Sequence, residues 1–457
     1  MRPPFNGLPM ETRVKMDTNP GGNVDRSHEA NVVLIINIFI YTTVIVFVLF
    51  GTFAPSVAMQ DLALSRLATI YSLTEHGTFY LDSPGAKDDN PFASHTIDKV
   101  MAKGRLLSSK PPVLPLMMTG EYMLLRSVFG LELRNDSDCA VVVRVLTLTF
   151  CGIPFILTVF LFDRTISLFS VDPLIRCAMT LFLAFGTQLW GYSLMVNNHI
   201  PATFCLMLCI YLSLGLIYEK CRPSSWRFAV FGAAAGLVLT IDMPVAIWPA
   251  IAGLCLVYHF PRKTLLWGVL AAAVPVAVHA GVMLQVTGSP LPVQMHPEMY
   301  LYENSYWRHP RGIDGLNEPK GTYLFHMTFG RRGIFTLYPV LIAGLLSPLR
   351  YLLGRGLRYH RPILAGALGL MILTAYYCLQ TNDYGGVTYG FRWLIAAMPV
   401  LLLMGVPIYE KLRARWKWIF VGLMFGISFF SAWQASRGMF YTGQEWPCQI
   451  LGPNAPG

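Results

Sequence analysis

The stretch Asn31–Ala54, NVVLIINIFIYTTVIVFVLFGTFA, carries no charged side chain over a length that suffices to cross a bilayer as an α-helix. Comparable apolar runs recur along the whole chain, separated by short charged or Gly/Pro-rich breaks. Of the 457 residues, 54% are hydrophobic and only 13% are charged. This composition excludes an ordinary soluble protein. We therefore predict an all-α polytopic membrane protein with one membrane domain and about 11 transmembrane helices.

The predicted spans share an apolar character and charged or polar flanks. They are Asn31–Ala54, Cys139–Phe162, Leu174–Met195, Ala202–Tyr218, Phe228–Ile241, Ala246–Tyr258, Leu265–Val286, Gly333–Leu349, Ile363–Leu379, Leu394–Tyr409 and Trp418–Trp433. The net charge of +10 does not indicate nucleic-acid binding, because the basic residues form short clusters between apolar runs.

The segment Pro111–Phe129 decides the orientation of the chain. It is apolar enough to span, but it contains three prolines, Glu121 and Arg126. Basic residues cluster in alternate loops, at 220–227, 262–263, 350–361 and 411–417. With a cytoplasmic N-terminus, these clusters fall inside, as the positive-inside rule requires, only if Pro111–Phe129 does not cross. We predict that it lies in the outer interface or re-enters.

This topology divides the chain into a cytoplasmic tail at 1–30, a membrane domain at 31–434 and an extracytoplasmic tail at 435–457. Two long extracytoplasmic loops belong to the membrane domain, at 55–138 and 288–332. The first carries amphipathic interfacial helices. Most of the unusual polar residues then lie on the outer face, so any chemistry is predicted to be extracytoplasmic.

Asp61 opens the amphipathic helix of the first outer loop. It is either a first-turn acid that the helix dipole favours or a general base at the membrane surface. Arg66, on the same helix, is assigned to the support of the site. Lys110 precedes two prolines that fix its backbone. It either extends toward lipid headgroups or holds a phosphate at a defined depth.

Three further polar residues lie at or near the outer ends of spans. Arg144 is inside its span, where an arginine is costly, and either faces the interior with an acidic partner or reaches the outer surface. His199 is either structural or an acid, a base or a metal ligand, although no metal-ligand spacing accompanies it. Asp242 is either a site residue or a solvated acid at the end of a helix.

The second outer loop and two later span mouths supply the remaining candidates. Aromatic side chains suited to an interfacial belt or to sugar contacts are Tyr300, Tyr306, Trp307, Tyr384 and Tyr389. Cations suited to an anion are Arg331, Arg332 and Arg392, and Asp383 accompanies them. Aromatic groups, cations and one candidate base together would suit a lipid-phosphate-linked substrate.

In this combination of motifs the chain resembles the GT-C superfamily of membrane glycosyltransferases, in the branch of aminoarabinose transferases and protein O-mannosyltransferases. The motifs are Asp61 with the helix LSRLATIYSLTEHGTFYLD, SSKPPVLPL, the early-span Arg144, FGRRGIFTLYPVL, and NDYGGVTYGFRWLIAAMPVLLL. Two departures stand out. Asp61 has no adjacent second acid, and NNHIPA lacks the acid that the aminoarabinose branch carries there.

The resemblance implies inverting transfer of a sugar from a polyprenyl-phosphate donor to an acceptor hydroxyl on the extracytoplasmic side. Asp61 would be the base, Lys110 would contact the donor phosphate, and Arg144 matches the family's early-helix arginine. Negative charge grows on the departing phosphate, where Lys110, Arg331, Arg332 and Arg392 could stabilise it. The acceptor would be a lipid, a glycan or a protein.

Several alternatives stay open. They are a lipid-linked glycan ligase or polymerase, a lipid flippase or transporter, a phosphoethanolamine-type transferase and a purely structural membrane protein. No metal is assigned, although a divalent ion is compatible with the chemistry. We expect the protein in a bacterial inner membrane. Cys139 and Cys448 both lie near the predicted outer face, and their spacing in sequence does not decide whether they pair.

Overall fold

The computed structural model describes residues 20–54, 61–82, 89–169, 171–353, 359–412, 414–437 and 445–451. The side chains of 20–30, 61–62 and 451 lie outside this description. Helices dominate the described chain. In the first half they are α1 (Pro20–Phe53), α2 (Asp61–His76), α3 (Val113–Phe129), α4 (Asp136–Thr147), α5 (Ile153–Ser167), α6 (Pro173–Phe185), α7 (Leu189–Tyr192), α8 (His199–Ile217), α9 (Ser225–Ile241) and α10 (Ile247–His259).

The second half of the chain continues the helical architecture. Its helices are α11 (Pro261–Lys263), α12 (Leu270–Thr287), α13 (Lys320–Thr328), α14 (Ile334–Leu337), α15 (Ile342–Leu352), α16 (His360–Gln380), α17 (Ala397–Tyr409), α18 (Arg415–Arg437) and α19 (Trp446–Leu451). A π-helical turn, Leu148–Gly152, joins α4 to α5, and a second, Thr264–Val269, joins α11 to α12.

The long apolar helices confirm the all-α, multi-pass prediction. Stretches long and apolar enough to cross a membrane are Asn31–Phe53, Asp136–Ser167, His199–Ile217, Pro261–Thr287, His360–Gln380 and Arg415–Arg437. Shorter apolar helices lie at Pro173–Phe185, Ser225–Ile241, Met243–His259, Pro339–Leu352 and Ala397–Tyr409. Each predicted segment overlaps one of these stretches.

Two predicted spans have different ends in the structure. The predicted Leu174–Met195 helix ends at Phe185, and Gly186 follows it where a Cβ would lie only 2.8 Å from the carbonyl oxygen of Phe182. The predicted Gly333–Leu349 helix is interrupted at Pro339, which has no amide hydrogen to donate. Apolar periodicity therefore located both segments but not these breaks.

Small residues let the helices of the bundle approach closely. Helix α8 packs between α5 and α9, and α9 packs against α12 and its preceding π turn. A Cβ on Gly232 would overlap the Gly268 carbonyl, and a Cβ on Gly344 would overlap the Leu401 carbonyl between α15 and α17. Close backbone approach of this kind replaces the hydrophobic driving force that is absent between helices in lipid.

Helix α3 lies in the segment Pro111–Phe129, which the charge distribution predicts does not cross the membrane. It is not among the described helices whose length and composition suit a span. Tyr122 and Met118 are buried toward α2 and α4, whereas Leu124, Val128 and Phe129 are exposed. One apolar face is thus packed and the other is uncovered, as in a helix that lies along a membrane surface. The sidedness of the loops stays a prediction.

A β-hairpin in the first long loop was not predicted. Strands β1 (Lys99–Ala102) and β2 (Arg105–Ser108) pair antiparallel, with Lys99 opposite Ser108. The turn residues Lys103 and Gly104 have φ of 52° and 73°, which is the backbone of a tight hairpin turn. The hairpin brings the residues before Lys99 close to those after Ser108.

Candidate functional site

The hairpin places Asp98 beside Lys110. The Lys110 Nζ lies 2.7 Å from Asp98 Oδ2, and each side chain is 14% exposed. The amide of Ser109 donates to the Asp98 carbonyl oxygen at 3.0 Å, which continues the hairpin ladder to this point. Ser65 on α2 also donates to that carbonyl, at 2.8 Å. Lys110 is therefore held between the hairpin and α2, immediately before Pro111.

Burial and neighbouring charges set the protonation of this ion pair. Burial lowers the pKa of Lys110, and the charges of Arg392 and Arg66 lower it further, whereas Asp98 opposes both. For Asp98, burial alone would raise the pKa, but Lys110, Arg392 and Arg66 outweigh it, so the pKa lies below its usual range. Asp98 thus faces three cations, Lys110, Arg66 and Arg392.

Arg66 connects this cluster to the start of α8. Its side chain is 1% exposed, and its Nη2 donates to Asn198 Oδ1 at 2.9 Å. Burial, as the largest effect, lowers the pKa of Arg66 to about 10. The guanidinium remains a cation at neutral pH, so the predicted supporting residue lies inside the charge cluster.

His199 and Asp242 form a buried pair next to Asn198. The His199 Nδ1 lies 2.7 Å from Asp242 Oδ2, and both side chains are 6% exposed. The Asn198 Nδ2 lies 3.5 Å from the same ring nitrogen. Residues predicted separately, on α8 and at the end of α9, thus meet through side chains. Asp242 is not the solvated end-of-helix acid that was one alternative.

Arg392 is the third cation of the cluster. Its side chain makes no hydrogen bond or ion pair with any residue that the structure describes, and its Nε is enclosed without a partner. Its charge acts on Asp98, Lys110, Arg66 and His199. A partly buried guanidinium without a protein acceptor is suited to an anion from outside the protein.

Glycine makes the position of Arg392 possible. A Cβ at Gly385 would lie 2.9 Å from the Arg392 Cγ, and the φ of Gly385 is +88°. Asp383 Oδ1 accepts the amides of Gly385 and Gly386, at 2.5 and 3.2 Å, and holds this turn in shape. Asp383 is therefore a loop-forming acid whose charge also lies near Arg392.

A second acid, Asp314, lies on the opposite side of Gly386. Tyr306 donates to Asp314 Oδ2 at 2.9 Å, and a Cβ on Gly386 would lie 3.6 Å from Asp314 Oδ1. Burial raises the pKa of Asp314 and that of Asp383, against the opposing charge of Arg392. The positive cluster is therefore bordered by two acids that protonate more readily than usual.

The two adjacent arginines of the FGRRG motif differ from Arg392. Arg332 is 2% exposed; its Nη1 donates to the carbonyls of Gly386 and Thr388 at 3.2 and 2.9 Å, and its Nη2 lies 3.8 Å from buried Glu445. Arg331 is half-buried, and its amide donates to His326 Nδ1 at 3.4 Å. Arg332 therefore ties the glycine loop to the body of the protein.

The predicted aromatic contacts fall into two groups. Tyr384 and Tyr389 are fully buried and donate to Glu318 and Gln434, which makes them part of the packed protein interior. Trp307 donates to the Ile97 carbonyl at 3.0 Å and packs edge-on against Tyr300 at 6.3 Å. Trp307 thereby braces the residue next to Asp98, and Tyr306 holds Asp314.

The remaining predicted site residues are Asp61 and Arg144. Asp61 opens α2, but its side chain lies outside the described residues. Arg144 is half-buried on α4, and its Nε is enclosed without a hydrogen-bond partner. No acid in the described chain pairs with Arg144, so the expected acidic partner is not found there. Cys139 and Cys448 are not joined by a disulfide.

An apolar depression lies beside Lys110, between the hairpin, the double proline and the end of α12. Its cavity volume is about 20 Å³, which is room for about one water molecule. Its lining residues are Thr69, Phe79, Leu107, Ser108, Lys110, Pro111, Pro112, Val282, Met283, Val286, Pro292 and Val293. The lining is apolar apart from Thr69, Ser108 and Lys110, so a cation stands at the edge of an apolar surface.

Sequence reasoning missed Asp98 and Asp314, and it placed Asn198 at the outer interface without a role in the site. Asp98 directly precedes a run of cations that contains Lys99 and Lys103, and this proximity is a signal for an ion pair. Nothing local distinguishes Asp314. Within the described ranges, no three His, Cys, Asp or Glu side chains come together as a metal site.

The chain is similar in structure to known proteins, although not in sequence. No family model matches the chain, and no curated protein matches it. A crystal structure of the Archaeoglobus fulgidus oligosaccharyltransferase in the apo form is similar with a TM-score of 0.45 and 12% sequence identity. The similarity covers 90% of this chain and 57% of that one, so the chain spans little more than half of that protein's length.

Proposed function

We propose that the protein is a membrane glycosyltransferase that moves a sugar from a polyprenyl-phosphate donor to an acceptor hydroxyl. The observation that carries the proposal is the position of Lys110. It lines an apolar depression and belongs to one charge cluster with Arg66 and Arg392, whose side chain has no partner among the described residues. A lipid chain that packs against this apolar surface would bring its phosphate to these cations.

The charge cluster supplies what glycosyl transfer demands. The acceptor oxygen forms a bond to the anomeric carbon while the bond from that carbon to the phosphate oxygen breaks, and its electron pair leaves with the polyprenyl phosphate. Lys110 and Arg392 would stabilise the growing phosphate charge in a partly dry site, where such charges interact strongly. Arg66, which donates a hydrogen bond to Asn198, would add to the positive potential.

Asp61 keeps the role of general base in this proposal. It would take the acceptor proton as the new bond forms and release it to water afterwards. It begins the helix that carries Ser65 and Arg66, both of which contact the charge cluster. Arg331 would assist the donor phosphate from the adjacent loop, and Arg144 would support the site from α4.

The proposal includes the compartment. The site would face the extracytoplasmic side of a bacterial inner membrane, within a membrane domain at 31–434 that is flanked by the tails 1–30 and 435–457. The loops 55–138 and 288–332 would both lie on that side. They meet in the structure, since Trp307 donates to Ile97 and Gln294 donates to Ser109.

A product analysis tests the proposed reaction. Purified protein in detergent is incubated with radiolabelled decaprenyl phosphosugars and membrane extract, and the products are separated and identified by mass spectrometry. Transfer should release decaprenyl phosphate and label a new acceptor. Lipid glycans of a deletion strain should lack one modification. Accumulation of an unprocessed lipid, with no covalent transfer in vitro, would instead indicate a flippase.

A further inference from the structure

The His199–Asp242 pair has one ring atom that the protein does not use. The 2.7 Å separation between Nδ1 and Asp242 Oδ2 requires a hydrogen between the two atoms, and an ionised carboxylate accepts only. The hydrogen is therefore on Nδ1. In neutral imidazole, Nε2 then carries a lone pair and accepts hydrogen bonds.

The surroundings leave Nε2 of His199 without a protein donor. No residue in the described part of the chain forms a hydrogen bond with Nε2. Nε2 is also not fully enclosed by the protein. A small opening therefore reaches it, although the residue is only 5% exposed. A buried acceptor that is fixed in orientation and left unpaired suits a hydrogen-bond donor from a ligand.

The position of His199 indicates which part of a ligand would meet it. Arg392 acts on both His199 and Lys110, and Asn198, which accepts a hydrogen bond from Arg66, lies beside the His199 ring. The cations are suited to phosphate, and the acceptor atom beside them is suited to a hydroxyl. In a polyprenyl phosphosugar the sugar hydroxyls lie immediately next to the phosphate.

We propose that His199 binds a hydroxyl group of the donor sugar through Nε2, and that Asp242 is a positioning residue that fixes the ring. This inference rests on the proposed function and adds a hydroxyl contact on the sugar of the donor. His199 and Asp242 would thus recognise the sugar, whereas Lys110 and Arg392 would bind the phosphate.

Lipid phosphates with and without an attached sugar separate these roles. The affinity of the full-length protein in detergent is measured for decaprenyl phosphate and for decaprenyl phosphoglucose, phosphomannose, phosphogalactose and phosphoarabinose. Wild type should bind one phosphosugar more tightly than the bare lipid phosphate. Binding of none of these lipids would defeat the proposed function itself, and equal binding of all of them would overturn the His199 contact alone.

The variant His199→Asn gives the sharpest test. The Asn amide can occupy the place of Nδ1 and keep the bond to Asp242, but it has no group at the position of Nε2. We expect a roughly 3- to 10-fold loss of affinity for the preferred phosphosugar, the effect of one neutral hydrogen bond, with unchanged affinity for decaprenyl phosphate. Equal losses for both ligands, or no loss, would overturn the proposal.

Further variants keep the test independent of folding. His199→Gln offers an amide oxygen near the Nε2 position and should restore part of the sugar preference. Asp242→Ala should lose that preference, whereas Asp242→Asn, which keeps an acceptor for Nδ1–H, should lose less. His259→Asn, at the far end of α10, is the control and should bind like wild type. A conservative Asp242→Asn variant no better than Asp242→Ala would overturn the positioning role.

Discussion

The ammonium of Lys110 lies 2.7 Å from the carboxylate of Asp98, and both side chains are 14% exposed. The lysine that the double proline fixes is therefore already paired before any ligand arrives. Arg66 and Arg392 also act on Asp98, so the pair orients Lys110 while two further cations lie near the same carboxylate. A phosphate would join this arrangement as a second anion.

Replacing the pair separates its structural and binding roles. Lys110→Met leaves the Asp98 carboxylate partly buried and unpaired, so we expect a loss of stability on the order of 3 kcal/mol. The double variant Lys110→Met/Asp98→Leu should recover most of that stability but should not bind decaprenyl phosphate. Thermal unfolding and lipid binding measure the two effects. Normal lipid binding by the stable double variant would remove Lys110 from the phosphate site.

The same substitution should affect lipid binding at Arg392 and protein stability at Arg332. Arg392→Gln removes a cation without a described protein partner, so decaprenyl phosphate should bind roughly 10- to 100-fold more weakly while the unfolding temperature stays near that of wild type. Arg332→Gln should destabilise the protein, because it leaves two carbonyls and buried Glu445 without their donor. A strong loss of stability in Arg392→Gln would contradict this division.

Asp61→Asn tests the proposed base. We expect sugar transfer to fall by about 100- to 10,000-fold while binding of the phosphosugar donor is retained, because the base acts on the acceptor. Single-turnover transfer with saturating donor measures the chemical step. Glu132→Gln, on an exposed residue after α3, is the matched control. Transfer at the wild-type rate in Asp61→Asn would exclude Asp61 as the base.

Phosphosugar binding should strengthen as the pH falls. The pKa values of Asp314 and Asp383 are raised, so these acids become neutral at a higher pH than ordinary carboxyls and stop offsetting Arg392. The phosphodiester of a decaprenyl phosphosugar keeps its single charge. We expect at least about 3-fold tighter binding at pH 4.5 than at 7.5, since one negative charge lost within about 25 Å at an effective dielectric near 20 is worth that much.

Asp314→Asn checks the origin of this pH dependence. The substitution removes one titrating charge, so the affinity at pH 7.5 should rise and the dependence on pH should flatten. Tyr306→Phe, which removes the hydrogen bond to Asp314, should raise the pKa of Asp314 and move the change to higher pH. An unchanged profile in Asp314→Asn would show that other groups titrate.

Thiol labelling tests the sidedness of the loops. In a background with Cys221 and Cys255 replaced by serine, a membrane-impermeant maleimide should label Glu132→Cys in intact cells and Arg222→Cys only after the cytoplasm is opened. Both introduced positions are exposed. The opposite pattern would reverse the orientation that the charge distribution predicts.

The sequence by itself determined the apolar helices and most of the polar candidates. Spans such as Asn31–Phe53 need only a local excess of apolar residues, because a single apolar segment in lipid satisfies its own backbone hydrogen bonds as a helix. Lys110, Arg66, His199, Asp242 and Arg392 were recognisable because charged or polar side chains are rare in such a chain. Each was identified alone, with alternatives that its neighbours in sequence did not resolve.

Only the tertiary structure decided which of these residues meet. Asp98 reaches Lys110 because a hairpin folds the chain back, and His199 reaches Asp242 because α8 and α9 pack side by side. Arg332 and Arg392 are both arginines at the mouths of predicted spans. The Arg332 side chain contacts backbone carbonyls and buried Glu445, whereas the Arg392 side chain has no partner in the described chain. Partner choice depends on distances between distant segments, and local composition carries no information about those distances.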